Sequence, residues 1–124
     1  MHILDSNILI GHLNGDVIIK KWIKENTERE ELCISVVTRI EVLGFPGLSG
    51  SNLLESAKFI NLFREIGLFG DTAELATDLK RSANLSLADS VISATAISRK
   101  MTLVTNDKIL ARKVKDLVKV LSLS

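Results

Sequence analysis

Three stretches of this chain, His2 to Leu4, Leu32 to Ile34 and Met101 to Thr105, place apolar residues back to back rather than in alternation. A strand with one wet face alternates, whereas a strand covered on both faces need not. Each stretch is followed by a segment of helical periodicity. Strands of this kind interleaved with helices specify an α/β domain whose sheet is mostly parallel and flanked by helices. Two weaker runs, Leu68-Phe69 and Val118 to Leu121, bring the expected strands to five. Parallel neighbours need crossovers, which are right-handed, and ligands in such sheets bind beyond the carboxyl ends of the strands.

The helices follow from caps and periodicity. Ser6 or Asn7 caps a segment from Ile8 to His12, and Gly15-Asp16 opens a second helix. Glu28 to Glu31 reads as a charged turn. Ser35 caps the helix Val36 to Leu43, which Gly44 and Pro46 end. Helical spacing returns from Asn52 to Glu65, Asp71 caps a helix to about Ser82, and Asn84 lies in the turn after it. The last helices run from about Ala88 to Lys100 and from Lys108 to Lys115. Residues 45–51 are loop-like but too short to link domains, so the 124 residues form one domain, 1–124.

No apolar run approaches the roughly 18 residues of a membrane span, and the N-terminus lacks a signal-peptide pattern. Cys33 has no partner for an internal disulfide and reads as a buried core thiol. A cytoplasmic protein is expected. Net charge is only +1, yet residues 1–79 carry 7 Lys/Arg against 12 Asp/Glu, and residues 80–124 carry 9 against 3. Lys108, Arg112, Lys113, Lys115 and Lys119 are either a solvated face or a surface for phosphate backbone. Their value depends on whether an acidic site lies beside them.

Four acids meet that condition. Asp5 and Asp107 follow the first and fourth strands directly. Asp89 falls in the first turn of its helix and Glu41 about two turns into another, both among apolar neighbours. Helices that follow strands begin at the sheet's carboxyl edge, so all four can face one cleft. Carboxylates crowded there would take up protons unless a cation balanced them. Oxygen donors select a hard ion, Mg²⁺ or Mn²⁺, rather than zinc, and such an ion suits hydrolysis of a phosphodiester by water. Each acid also has a local reading: Asp5 and Asp107 as helix caps, Asp89 as a helix N-terminal charge, Glu41 as a partner of Arg39.

The blocks Asp5-Ser6-Asn7, Ser35 to Glu41, Leu87-Ala88-Asp89 and Leu103 to Asp107, in this order, resemble the PIN-domain family. They are most similar to the VapC-like toxins of type II toxin–antitoxin pairs. The resemblance spans nearly the whole chain, including Glu41 to Pro46 and the helix Ser90 to Ala96. It implies a sheet of order 3-2-1-4-5 and a metal-dependent endoribonuclease. Asp5, Glu41 and Asp89 would be the core carboxylates, with Asp107 the fourth acid and Asp116 a spare one further on. Asp5 and Asp89 would hold Mg²⁺ or Mn²⁺, with Glu41 and Asp107 completing the shell. Ser6 stands where the family often has Thr, and Asn7 and Thr105 would support the site. Ala88 replaces a frequent Pro, a change that touches helix entry. The resemblance further implies an RNA substrate, a small antitoxin that covers the acidic cleft, and a homodimer. Phe45, Leu48, Leu53 and Leu54 are candidates for those contacts, or else plain packing.

Other chemistries lack their residues. His2 and His12 are too far apart to pair as ligands, Ser6 has no triad context, and no glycine-rich phosphate loop is present. With one Trp, four Phe and no Tyr, a stacking platform for RNA is not expected. Two rivals remain: a non-catalytic PIN-like module that binds RNA or protein, and a phosphoaccepting receiver domain. The acids argue against the first. A receiver needs paired acids after its first strand and an Asp after its third, whereas Asp5 stands alone.

Overall fold

The computed structural model describes residues 1–29 and 31–124; Glu30, within the expected charged turn, lies outside them. Among the described residues the strands are β1 (His2–Leu4), β2 (Leu32–Ser35), β3 (Arg64–Ile66), β4 (Thr102–Val104) and β5 (Val120–Leu121). The helices are α1 (Ser6–Leu13), α2 (Val17–Asn26), α3 (Val36–Leu43), α4 (Gly50–Ile60), α5 (Gly70–Ser82), α6 (Leu87–Arg99) and α7 (Lys108–Val114). The five strands form one sheet of order β3-β2-β1-β4-β5, and every pairing is parallel. Central β1 pairs His2 with Leu32 on one side and with Thr102 on the other. A receiver-type sheet has order 2-1-3-4-5, so that rival is excluded.

Both faces of the sheet are covered. Ile3, Cys33 and Leu103 pack with residues of α5, α6 and α7, including Leu79, Ile92 and Leu110. Leu4, Ile34 and Val104, one position along, pack with α1, α2 and α4 through Ile8, Ile19 and Ile60. This double burial is why neither Ile3 nor Leu4 is exchangeable for a polar residue, and Cys33 is indeed a buried thiol.

The third strand is not Leu68-Phe69 but Arg64–Ile66, and the helix expected to reach Glu65 stops at Ile60. As an edge strand β3 buries only Ile66. Arg64 and Glu65 point to solvent and pair with Glu31 and Arg39. Leu68 and Phe69 are exposed connection. Phe69 takes the cap position of α5 without a side-chain bond, while Asp71 sits in the first turn, where its charge complements the helix dipole. The cap of α1 is Asp5, not Ser6 or Asn7, and Ser86 caps α6 one residue before its start.

Helix α6 ends on Lys100 in the left-handed region, with φ 54° and ψ 45°. Its amide satisfies the carbonyls of Ala96 and Ile97. Glycine normally occupies this place because it has no Cβ to clash. Lys100→Gly is expected to stabilise the protein by about 0.5–1 kcal/mol, read as a higher urea midpoint at unchanged slope. A lower midpoint would show that the lysine side chain contributes more than its backbone strain costs.

Candidate active site

The chain leaves β1 toward β2 and later returns to β4 on the other side of β1. A crevice opens at such a reversal, outside the carboxyl ends of the two strands. Asp5 follows β1 into it, and Thr105, Asn106 and Asp107 follow β4.

Asp5 is 5% exposed, and both of its carboxylate oxygens accept hydrogen bonds. Its Oδ1 accepts from the Ser6 amide at 2.9 Å, which makes it the α1 cap. Its Oδ2 accepts from the Thr105 hydroxyl at 2.7 Å and the Asn7 amide nitrogen at 3.1 Å. The Thr105 oxygen in turn accepts from Asn7 Nδ2 at 3.3 Å and the Asp107 amide at 3.0 Å. With both lone-pair directions taken, the single hydroxyl proton of Thr105 goes to Asp5. Asn7 Oδ1 receives the Asn106 amide at 3.2 Å. Glu41, exposed on α3, joins through Ser6, whose hydroxyl donates to its Oε1 at 3.0 Å. Arg39 does not pair with Glu41; it reaches Glu65 and, at 2.7 Å, Asn61.

Asp89 and Asp107 reach this network by their field. Asp107 caps α7, its Oδ1 taking the amides of Ile109 and Leu110, both at 3.0 Å. The Ser86 hydroxyl accepts from the Asp89 amide at 3.1 Å and so fixes the first turn of α6. Burial, helped by the charges of Asp89 and Glu41, lifts the Asp5 carboxyl to about 6 against the pull of the hydrogen bonds from Thr105 and the Ser6 amide. Burial also raises Asp89; hydrogen bonding of its carboxyl by the Ser86 side chain lowers it, Asp107 raises it and Lys113 lowers it. Asp5 thus feels Asp89 and Glu41, and Asp89 feels Asp107.

The local readings of Asp5 and Asp107 as caps are therefore both true. Three further residues matter here that sequence reasoning did not single out. Ser86 was legible, since Ser-x-x-Asp at a helix start is a capping pattern. Lys113 lay hidden in the basic run; its ammonium binds the Asn84 carbonyl at 3.1 Å and holds down Asp89. Asn106 gave no signal. Lys108, Arg112, Lys115 and Lys119 are exposed, and so is Asp116 beyond α7.

The donors are carboxylates, hydroxyls and an amide, the set that a hard divalent cation takes. Among the described residues no group of three or more acids, His or Cys is arranged to hold an ion unaided. Mg²⁺ does not need one, because it keeps several waters and takes one or two protein carboxylates. A cation would also offset the burial and the mutual repulsion that lift Asp5 and Asp89. The residues fit such an ion. Beside Glu41 lies an open groove of about 420 Å³, floored by Ile10, Leu13, Val42 and Phe45 and rimmed by Glu55.

A family model of the PIN domain matches residues 2–116. Ribonuclease VapC10 of Mycobacterium tuberculosis is 32% identical over 110 residues, covering 85% of this chain and 81% of the relative. Among solved structures, a chain of a toxin–antitoxin complex from Klebsiella pneumoniae superposes with a TM-score of 0.83 at 22% identity, over 100% of this chain and 98% of that one. A chain of VapBC2 from Rickettsia felis, bound to a DNA fragment from their promoter, does so with 0.81 at 17%, over 98% and 97%. At such identities the superpositions speak for the fold.

The raised Asp5 carboxyl has a consequence for stability. Unfolded, the group ionises near 3.8; folded and metal-free, it keeps its proton to about 6. Between these values the unfolded state binds fewer protons, so this group's stabilisation is full below about 4 and lost as pH rises through 6. The loss amounts to about 3 kcal/mol. In chelator-treated protein, Asp5→Asn is expected to flatten the urea midpoint against pH between 4 and 6.5 relative to wild type. Parallel profiles for the two proteins would contradict the burial argument.

Proposed function

The chain belongs to the PIN-domain family, and from that membership we propose that it is a Mg²⁺- or Mn²⁺-dependent endoribonuclease, the toxin of a type II toxin–antitoxin pair. The observation that carries the reading is Asp5: a buried carboxylate, oriented by three donors, into whose field Asp89 and Glu41 converge. A fold does not build such a centre for stability, since removing charge from water costs free energy that the three donors return only in part. The 32%-identical relative carries the name ribonuclease, which supports RNA as the substrate. We assign residues 1–124 to the domain, past the matched 2–116, because β5 and buried Leu123 complete its sheet and core.

In this reading Asp5 and Asp89 hold the ion directly or through water, and Glu41 and Asp107 complete the shell or orient the attacking water. Bound there, the ion supplies charge stabilisation at the phosphoryl group and activates water as the nucleophile. Asn7 and Thr105 keep the Asp5 carboxylate in one orientation, and Ser6 ties Glu41 to it. Lys113 and the exposed bases after it offer cations to the substrate's phosphates beside the acids. No helix among the described residues is long and apolar enough to cross a membrane; a cytoplasmic site of action is part of the proposal.

The antitoxin would occupy the groove beside Glu41. Its apolar floor and acidic rim suit a segment carrying apolar anchors and a basic side chain. Phe45, 66% exposed, and Leu48 line it, which turns two of the suspected contact residues toward one surface. Leu54 is exposed on α4, and a second copy of the chain would complete a homodimer.

Two measurements test this. Asp5→Asn and Asp89→Asn should each lower Mg²⁺-dependent cleavage of RNA at least about 100-fold while the far-ultraviolet spectrum stays native. Wild-type rates in either variant, or cleavage indifferent to chelator, would reject the assignment. Phe45→Ala should weaken capture of the co-expressed antitoxin at least about tenfold, the usual loss for an aromatic anchor. Undiminished capture would remove the groove from the interface.

A further inference from the structure

Asn106 lies between two residues of the site, yet its side chain is turned to the segment after β5. Its Oδ1 accepts from the Leu123 amide at 2.7 Å and the Ser122 hydroxyl at 3.4 Å. Leu123 is 9% exposed and packed with Leu4, Ile8 and Val104 in the core beneath α1 and α2. One strand bond away, the Thr105 amide meets the Leu121 carbonyl at 3.0 Å. The tail is therefore anchored by a buried side chain and clasps the loop that follows β4.

The backbone of Asn106 faces the other way. Its amide donates to Asn7 Oδ1 at 3.2 Å. A side-chain amide can sit in two orientations that differ by exchange of oxygen and nitrogen, and its neighbours decide between them. Only one orientation presents Asn7 Nδ2 to Asp5 Oδ2 and Thr105 Oγ1. The reversed amide would set an oxygen against a carboxylate and a nitrogen against the Asn106 amide. Asn106 therefore joins Asp5 in fixing which face of Asn7 meets the carboxylate, and it is the contact that holds the Asn7 oxygen. What fixes Asn106 is Leu123.

We propose that Asn106 is a positioning residue of the metal site, and that Leu123, clasped by it, is part of the site's support. Resting on the metal-dependent reading above, this adds a third layer: Leu123 holds Asn106, Asn106 orients Asn7, and Asn7 with Thr105 orients Asp5. Partners one layer out from a metal ligand usually matter about 10- to 100-fold in affinity, so a residue one step further is expected to matter about three- to tenfold.

The test compares Asn106→Ala, Leu123→Pro and Leu123→Ala in the full chain. The proline removes the amide hydrogen that Asn106 accepts; the alanine at the same place keeps it while also shortening the side chain. Mn²⁺ affinity is read by calorimetry, and the Asn7 side-chain amide by its ¹H–¹⁵N signals in metal-free protein. Asn106→Ala and Leu123→Pro are expected to bind Mn²⁺ about three- to tenfold more weakly than Leu123→Ala, with displaced or broadened Asn7 signals. Asn106→Asp, which retains the acceptor, should return those signals to their wild-type positions. Should Asn106→Ala fail to fold, the pair at Leu123 decides alone. Equal Mn²⁺ affinity and equal Asn7 signals in Leu123→Pro and Leu123→Ala would overturn the proposal. If wild type itself binds no Mn²⁺, the metal-dependent reading falls, and the Asn7 signals still judge the Asn106 clasp.

Discussion

A carboxylate withdrawn from water at the end of the central strand is the constraint around which this molecule is arranged. Asp5 starts α1, terminates β1 and faces the reversal point of the sheet, so one residue joins a structural duty to an electrostatic cost. The donors Ser6, Asn7 and Thr105 lower that cost without removing it, and the carboxyl remains lifted to about 6. The remaining imbalance is negative and concentrated, and Asp89 and Glu41 deepen it. Asp5 is the one carboxylate among the buried residues described, and such a concentration around it is the mark of a place prepared for an incoming positive charge.

The rest of the fold serves this placement. Parallel strands bring β1 and β4 side by side although nearly 100 residues separate Asp5 from Thr105. Apolar side chains on both faces of β1 and β4 leave no freedom for the register to slip, since a one-residue shift would exchange the two cores. Caps at Asp5, Ser35, Ser86 and Asp107 set where the following helices begin, and with them where their first turns point. Precision at the site comes from helix starts rather than from loops.

Much of this was legible in the residues alone because it depends on local pattern. Back-to-back apolar runs marked β1, β2 and β4, and the acids at their ends marked the crevice. β3 escaped because an edge strand buries one side chain in three; Arg64 and Glu65 look like helix surface, while the exposed Leu68 and Phe69 look like a strand. Asp5, Ser6 and Asn7 are all good cap residues, so the sequence offers three candidates in a row, and the structure gives the cap to Asp5. The network of Asn7, Thr105 and Asn106, and the clasp on Leu123, join residues about 100 and 17 positions apart. Nothing in local composition encodes such pairings. They arise only when the sheet sets its register.

The central claim is that Asp5 and the acids around it form one cation site at the carboxyl ends of β1 and β4. Anomalous diffraction from crystals grown with Mn²⁺ tests it most directly. The account predicts a peak in the crevice within coordination distance of the Asp5 or Asp89 carboxylate, or one water removed from both. A peak elsewhere on the molecule, or an empty crevice at saturating Mn²⁺, would contradict it.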